Sequence, residues 1–263
     1  SGSCNPSCNP ASTRTATRRR RRRRAKLLPS TIRALRYLRD VVTNLPPKVY
    51  CLWLDPRPPV IIWSDAMWET RKGMGGFVVL IPEYAGMSEK VFFAEHVPGE
   101  ETIRHFVDGK QTYIGQLELL YAVAPYMSAP GLLAGTRILH FIDNTSAVGG
   151  MVSGYSAAVD SGLIVNAFHA YNVGLQTEPY FEYVRSAANV ADLPSRGRIE
   201  EMIEVLRQGG VKATPQRIEC KIPDLTSWAC LAETWVKKGK VERKCPPSFR
   251  GANKVNGKKR KHE

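Results

Sequence analysis

Between Val60 and Leu206 the chain alternates between an extended and a helical period, and the order of that alternation leaves few folds open. VIIWSDAMWE, GMGGFVVLIP and KVFFAEHVP read as three strands joined by short Gly- or Pro-containing connections, which predicts an antiparallel meander. YIGQLELLYAVAPYM then takes the 3.6 period, with Ile114, Leu117, Leu120, Tyr121 and Ala124 on one face. RILHFID reads as a fourth strand, SAVGGMVSGY and SGLIVNAFHAYNVGL as two helices, and PYFEYVR as a fifth strand. SAANVADLPSRGRIEEMIEVL is a loop feeding a last helix. The order βββαβααβα predicts an α/β fold: a mixed five-stranded sheet, three antiparallel strands then parallel additions, flanked by helices. It fits neither a doubly wound sheet nor a sandwich.

Around this body the composition shifts. Residues 1–26 form an Arg-rich segment ending in Arg18, Arg19, Arg20, Arg21, Arg22, Arg23 and Arg24, whose self-repulsion predicts disorder. Residues 27–59 hold an amphipathic helix and a connecting segment. Ser30 can cap this helix, Ile32, Leu35, Leu38, Val41 and Val42 recur at its period, and Pro46-Pro47 stops it. Arg33, Arg36 and Arg39 run beside the apolar stripe, so the helix is expected to dock on the domain or to present an interface. Residues 60–208 are the predicted domain. Residues 209–263 are an extension with a short helix around LTSWACLAETWVKK and a basic end expected to be disordered. Of the net +14, the two ends supply the whole excess, leaving nineteen bases against twenty-two acids in residues 25–235.

The longest apolar stretches, 76–81 and 117–124, fall far short of the roughly 20 residues a bilayer requires, so no membrane partner is expected. The N-terminus carries charge with no apolar run behind it, unlike a secretory signal. Six scattered cysteines, of which only Cys4 and Cys8 are close, make a poor zinc signal and predict a reducing, intracellular compartment.

Four acids stand where acids are costly. Asp65 follows the apolar run 60–64, Glu118 sits beside the apolar face of its helix, Asp143 ends the fourth strand, and Asp192 precedes the last helix. Singly, Asp65 and Asp143 read equally as turn residues, Glu118 as a solvent-facing helix residue, and Asp192 as a cap before Pro194. Jointly, carboxylates on neighbouring strand ends are tolerated when hard cations lie between them.

WSDAMWE, GMGGFVV, GQLELLYA, FIDNTSAV and AANVADLPSR, in this order and spacing, resemble a ribonuclease H domain of the kind that follows reverse transcriptase in retroelement polyproteins. PPKVYCLWLDPRPP is similar to the connecting segment at the end of a reverse transcriptase. The resemblance implies that Asp65, Glu118, Asp143 and Asp192 are catalytic metal ligands for two Mg²⁺ ions, with Mn²⁺ as a substitute. It implies hydrolysis of the RNA strand of an RNA/DNA hybrid by a two-metal mechanism, with minor-groove contacts to 2′-hydroxyls giving selectivity. Asn144 and Asn189 are then candidates beside the metals, Trp68 for the sugar backbone and Arg196 for a phosphate. The asparagines read equally as turn residues, Trp68 as packing and Arg196 as a solvated helix-start residue.

The chain departs from that pattern in two places. The loop 185–191 has no histidine, and residues 144–184 contain neither Lys nor Arg to grip a hybrid. The seven arginines 18–24 are candidates for that grip or for nuclear import, and GKKRK at 257–261 reads as an import signal, so a nuclear location is expected. Nucleic acid, and through the resemblance a reverse transcriptase module, are the expected partners. The competing function is a catalytically inactive nucleic-acid-binding protein that keeps the fold.

Overall fold

The computed structural model describes residues 27–44, 55–70, 72–104, 106 and 113–222. The Arg18–Arg24 run, the Cys4/Cys8 pair, the helix expected around LTSWACLAETWVKK and the import-like run 257–261 lie outside them. Helix α1 spans Pro29–Asn44. Its apolar stripe faces solvent: Leu35, Leu38 and Val42 are 51%, 54% and 81% exposed.

Strands β1 (Val60–Glu69), β2 (Lys72–Ile81) and β3 (Lys90–His96) form the expected antiparallel meander. Short α2 (Glu100–Arg104), long α3 (Ile114–Ser128) and one-turn α4 (Pro130–Leu133) lead to β4 (Arg137–Ile142), which lies parallel to β1. Helices α5 (Thr145–Ser153) and α6 (Val159–Leu175) lead to β5 (Glu178–Tyr183), parallel to β4. Three 3₁₀ turns, Ser186–Ala188, Val190–Asp192 and Pro194–Arg196, replace the expected loop before α7 (Ile199–Gln208). A sixth strand, β6 (Gln216–Arg217), closes the order β5-β4-β1-β2-β3-β6. The six-stranded mixed sheet has the expected arrangement with one short strand more than the sequence pattern shows.

Alternation assigns the two sheet faces. Val60 and Ile62 of β1, Ile138 and Ile142 of β4 and Phe181 of β5 point into the main core beneath α3 and α6. Helix α3 lies between the sheet and α5/α6, so its second face is buried as well: Leu119, Ala122 and Val123 are as enclosed as Leu117 and Leu120. On the opposite face Val78, Val91 and Phe93 pack against Met202 and Leu206 of α7. Beyond α7 the chain stays on the domain. The Ile218 N–H donates to the Phe93 carbonyl at 2.9 Å, and Ile218, Cys220 and Ile222 cover the edge of the main core. No helix among the described residues is long and apolar enough to cross a membrane.

Candidate metal centre

The site lies where two strands part. The ladder between β1 and β4 runs from Val60↔Ile138 to its last rung, Ser64↔Ile142. Asp65 and Asp143 are the first residues beyond that rung, so both carboxylates project into the opening between the strands. Glu118 reaches the same opening from α3, and one oxygen from each of Asp65, Glu118 and Asp143 lies within 4.8 Å of the others. Asp65 and Glu118 are only 3% and 4% exposed, and the Glu118 Oε2 atom is buried with no hydrogen-bond partner.

The cost of this crowding shows in protonation. Burial, with Asp143 and Asp192 nearby, pushes the Asp65 carboxyl up to about 7, although the Ser195 hydroxyl donates to its Oδ2 and opposes the rise. Burial followed by the charges of Asp65 and Asp143 pushes Glu118 well above the usual carboxylate range, against a hydrogen bond from the Ala66 backbone N–H. An enclosed group of carboxylates with an orphaned oxygen matches the needs of a hard divalent cation.

The other sequence candidates fall into place around it. Asp192 stands at the rim, and its Oδ1 accepts from Arg196 Nε at 2.8 Å. Arg196 bridges onward to Glu69 Oε1 at 3.2 Å. The structure therefore gathers three of the four acids tightly and holds the fourth beside them on an arginine. Asn189 is 3% exposed; its Nδ2 donates to the Ser64 carbonyl at 3.0 Å and its Oδ1 accepts from the Ala191 N–H at 3.2 Å. It pins the segment carrying Asp192 to the strand carrying Asp65. Asn144 caps α5, its Oδ1 accepting from the N–H groups of Ser146 and Ala147. Trp68 packs edge-on against Tyr113, with ring centroids 5.2 Å apart. Both asparagines thus serve local geometry and Trp68 serves packing.

Three contributors have no counterpart in the sequence reading. Ser195, fully buried, holds Asp65 from 130 positions away. Gly76, the β2 partner of Asp65, lets the backbone of Pro194 and Ser195 settle on the sheet: a Cβ there would stand 2.9 Å from the Ala94 carbonyl and 3.0 Å from the Ser195 nitrogen. The Gly75-Gly76 pair inside a strand was the available signal for such a close approach. The third is buried His140, whose Nε2 lies 2.9 Å from Ser64 Oγ and whose Nδ1 lies 3.2 Å from the Tyr126 hydroxyl. This run of polar contacts ties β4 to β1 at Ser64, on the last rung before the strands diverge.

No protein-family model matches the chain, and no curated protein matches its sequence. Among solved structures, it is similar to the N-terminal ribonuclease H domain of a Mycobacterium tuberculosis protein, solved as a fusion with maltose-binding protein (TM-score 0.40, 16% identity, covering 56% of this chain and 96% of that one). It is similar to ribonuclease H1 of the halophilic archaeon Halobacterium salinarum (TM-score 0.40, 13% identity, 54% and 98%). A third is LC9-RNase H1, described as a type 1 enzyme with the type 2 active-site motif (TM-score 0.38, 13% identity, 63% and 90%).

Proposed function

We propose that this protein is a Mg²⁺-dependent endonuclease of the retroelement ribonuclease H kind, hydrolysing the RNA strand of RNA/DNA hybrids. The observation that carries the reading is Glu118 Oε2, an unpartnered oxygen on a side chain only 4% exposed, grouped with Asp65 and Asp143. A protein that only bound nucleic acid would gain nothing from three carboxylates crowded together in a closed site. Asp65, Glu118 and Asp143 would hold the first cation, and Asp192 would join them for a second on exchanging Arg196 for it. When bound, such ions supply Lewis-acid activation of the attacking water and charge neutralisation at the departing 3′ oxygen.

The rest is the work of the chain's own residues. The Ser195 hydroxyl fixes the Asp65 carboxylate, and Asn189 fixes the backbone on either side of the site. Arg196, 42% exposed at the rim, releases Asp192 as its guanidinium turns to a backbone phosphate of the substrate. Discrimination for RNA rests on contacts to 2′-hydroxyls across the minor groove. The retroelement assignment rests on the sequence motifs, as do a reverse transcriptase partner and nuclear import through the runs 18–24 and 257–261.

The deciding experiment is cleavage of an end-labelled RNA/DNA hybrid in Mg²⁺, with double-stranded DNA as control, by the wild type and by Asp143→Asn. Metal-dependent cutting of the RNA strand, lost in the variant, is expected. Tight hybrid binding with no cutting in Mg²⁺ or Mn²⁺ would establish instead a binding protein that has kept the fold.

A further inference from the structure

Among the described residues, two apolar surfaces are incompletely covered. One is the stripe of α1, with Ile32, Leu35, Leu38 and Val42 all exposed. The other lies on the sheet. By register, Ile61, Leu139 and Tyr180 form one row across β1, β4 and β5, and Trp63, Phe141 and Glu182 form the next. Both rows point away from the main core, because the alternate residues Ile62, Ile138 and Phe181 point into it. Helix α7 covers this second face over β2 and β3 and reaches Trp63 of β1, while Ile61, Leu139 and Phe141 are half-buried and belong to neither buried cluster. Tyr180 is 64% exposed, and Trp63 stacks on Phe141 with ring centroids 5.9 Å apart.

We infer that in solution α1 docks its apolar stripe on this incompletely covered β1/β4/β5 face of the same molecule. Reach permits it. Asp55 is held at the start of the sheet, where Arg137 of β4 donates to its carbonyl at 2.9 Å, and eleven residue steps separate it from the end of α1 at Asn44. Such a tether spans up to about 38 Å when extended. Length permits it too: a 16-residue helix is about 24 Å long, and the three strands cover about 10 Å between outer axes. Charge favours it as well, although Arg137 lies beside Glu178 on the same face. Arg36 and Arg39 flank the stripe, and Glu178 and Glu182 lie on the same sheet face as Tyr180, so docking pairs opposite signs. The same arginines set two copies of α1 against each other. An undocked helix of this length is marginal in water, which gives the docked state a further advantage.

Hydrogen exchange on the full chain, read by mass spectrometry, tests the docking. In the wild type the α1 amides are expected to exchange at least about 100-fold more slowly than an unstructured chain. Leu35→Asp/Leu38→Asp should abolish that protection. Tyr180→Glu, a change at an exposed position that leaves the core intact, should speed α1 exchange by at least about tenfold. Sedimentation should show a monomer throughout. Exchange of wild-type α1 at the free-chain rate would overturn the inference. So would α1 protection indifferent to Tyr180→Glu, which would mean that α1 packs elsewhere. Protection lost on dilution of a dimer would assign the face to a second copy. None of these readouts involves metal or cleavage, so the docking and the nuclease reading stand or fall separately.

Discussion

Replacing Asp65 by Asn should stabilise the metal-free protein, and by an amount that grows with pH. Burial and neighbouring carboxylates hold the Asp65 carboxyl up to about 7 against an ordinary value of 3.8. The native state therefore keeps a proton that the unfolded chain has already released. Below pH 3.8 both states are protonated and the group is neutral in its effect; as pH climbs toward 7 the native state loses stability relative to the unfolded one. A carboxyl held up to about 7 in this way costs the native state about 4 kcal/mol at pH 8. Asn removes this penalty, and its amide can still accept from Ser195 while its NH₂ donates to Glu118 or Asp143. At about 2–4 °C per kcal/mol for a domain of this size, the melting-temperature advantage of Asp65→Asn in EDTA should widen by roughly 10 °C between pH 4 and pH 8. The assay is thermal denaturation by circular dichroism across that range, reading the difference between the two proteins so that titrating groups remote from the site cancel. Saturating Mg²⁺ at pH 8 should then reverse the order, raising the wild type by about 2.7 kcal/mol at a hundredfold excess over its dissociation constant and the variant far less. A difference that stays flat with pH, or an equal Mg²⁺ shift in both proteins, would refute the reasoning.

Three further outcomes follow from neighbouring features. His140 is fully buried and its imidazole is pushed down to about 3, so the unfolded chain takes up a proton near pH 6.5 that the native state refuses. Native stability should fall by up to about 5 kcal/mol as pH drops from 6.5 to 3, and His140→Gln should flatten that decline in urea titrations. Gly76→Ala drives a methyl group against the Ala94 carbonyl and the Ser195 nitrogen, and should cost about 1–3 kcal/mol in denaturant midpoints while weakening the Mg²⁺-induced stabilisation. Arg196→Ala breaks only exposed ion pairs, so the melting point should move by less than about 1 kcal/mol equivalent while the KM for hybrid rises several-fold in cleavage assays.

The strands and long helices could be read from the sequence because their signals are local. Alternation in VIIWSDAMWE and the 3.6 period after Tyr113 each need only a dozen residues to declare themselves. Asp65 and Asp143 are conspicuous for the same reason, each closing an apolar run, whereas Glu118 is marked only by its place beside the apolar face of its helix. What remained hidden depends on distant pairs. No window contains both Ser195 and Asp65, and nothing in RILHFI announces that His140 will be shielded by Ser64 and Tyr126. Helix α3 reads as one-sided in sequence because periodicity reports which residues are apolar and cannot report how many layers enclose them. Strand β6 has two residues, too few to carry any period, and exists only because β3 offers a free ladder beside it. Asp192 lies four residues before Arg196, and the spacing alone does not say whether that acid faces a cation from solution or the guanidinium of its own turn.

The placement of β6 bears on how these molecules meet one another. An open sheet has two unpaired margins, and a molecule with two can link to neighbours on both sides without limit. Here the Gln216–Arg217 pairing interrupts the outer margin of β3, with the chain then turning over the core, so among the described residues β5 is the one long margin left open. A particle with a single joining edge can satisfy it once. Among the described residues, edge association is thereby confined chiefly to the β5 margin, which favours closed pairs over open chains.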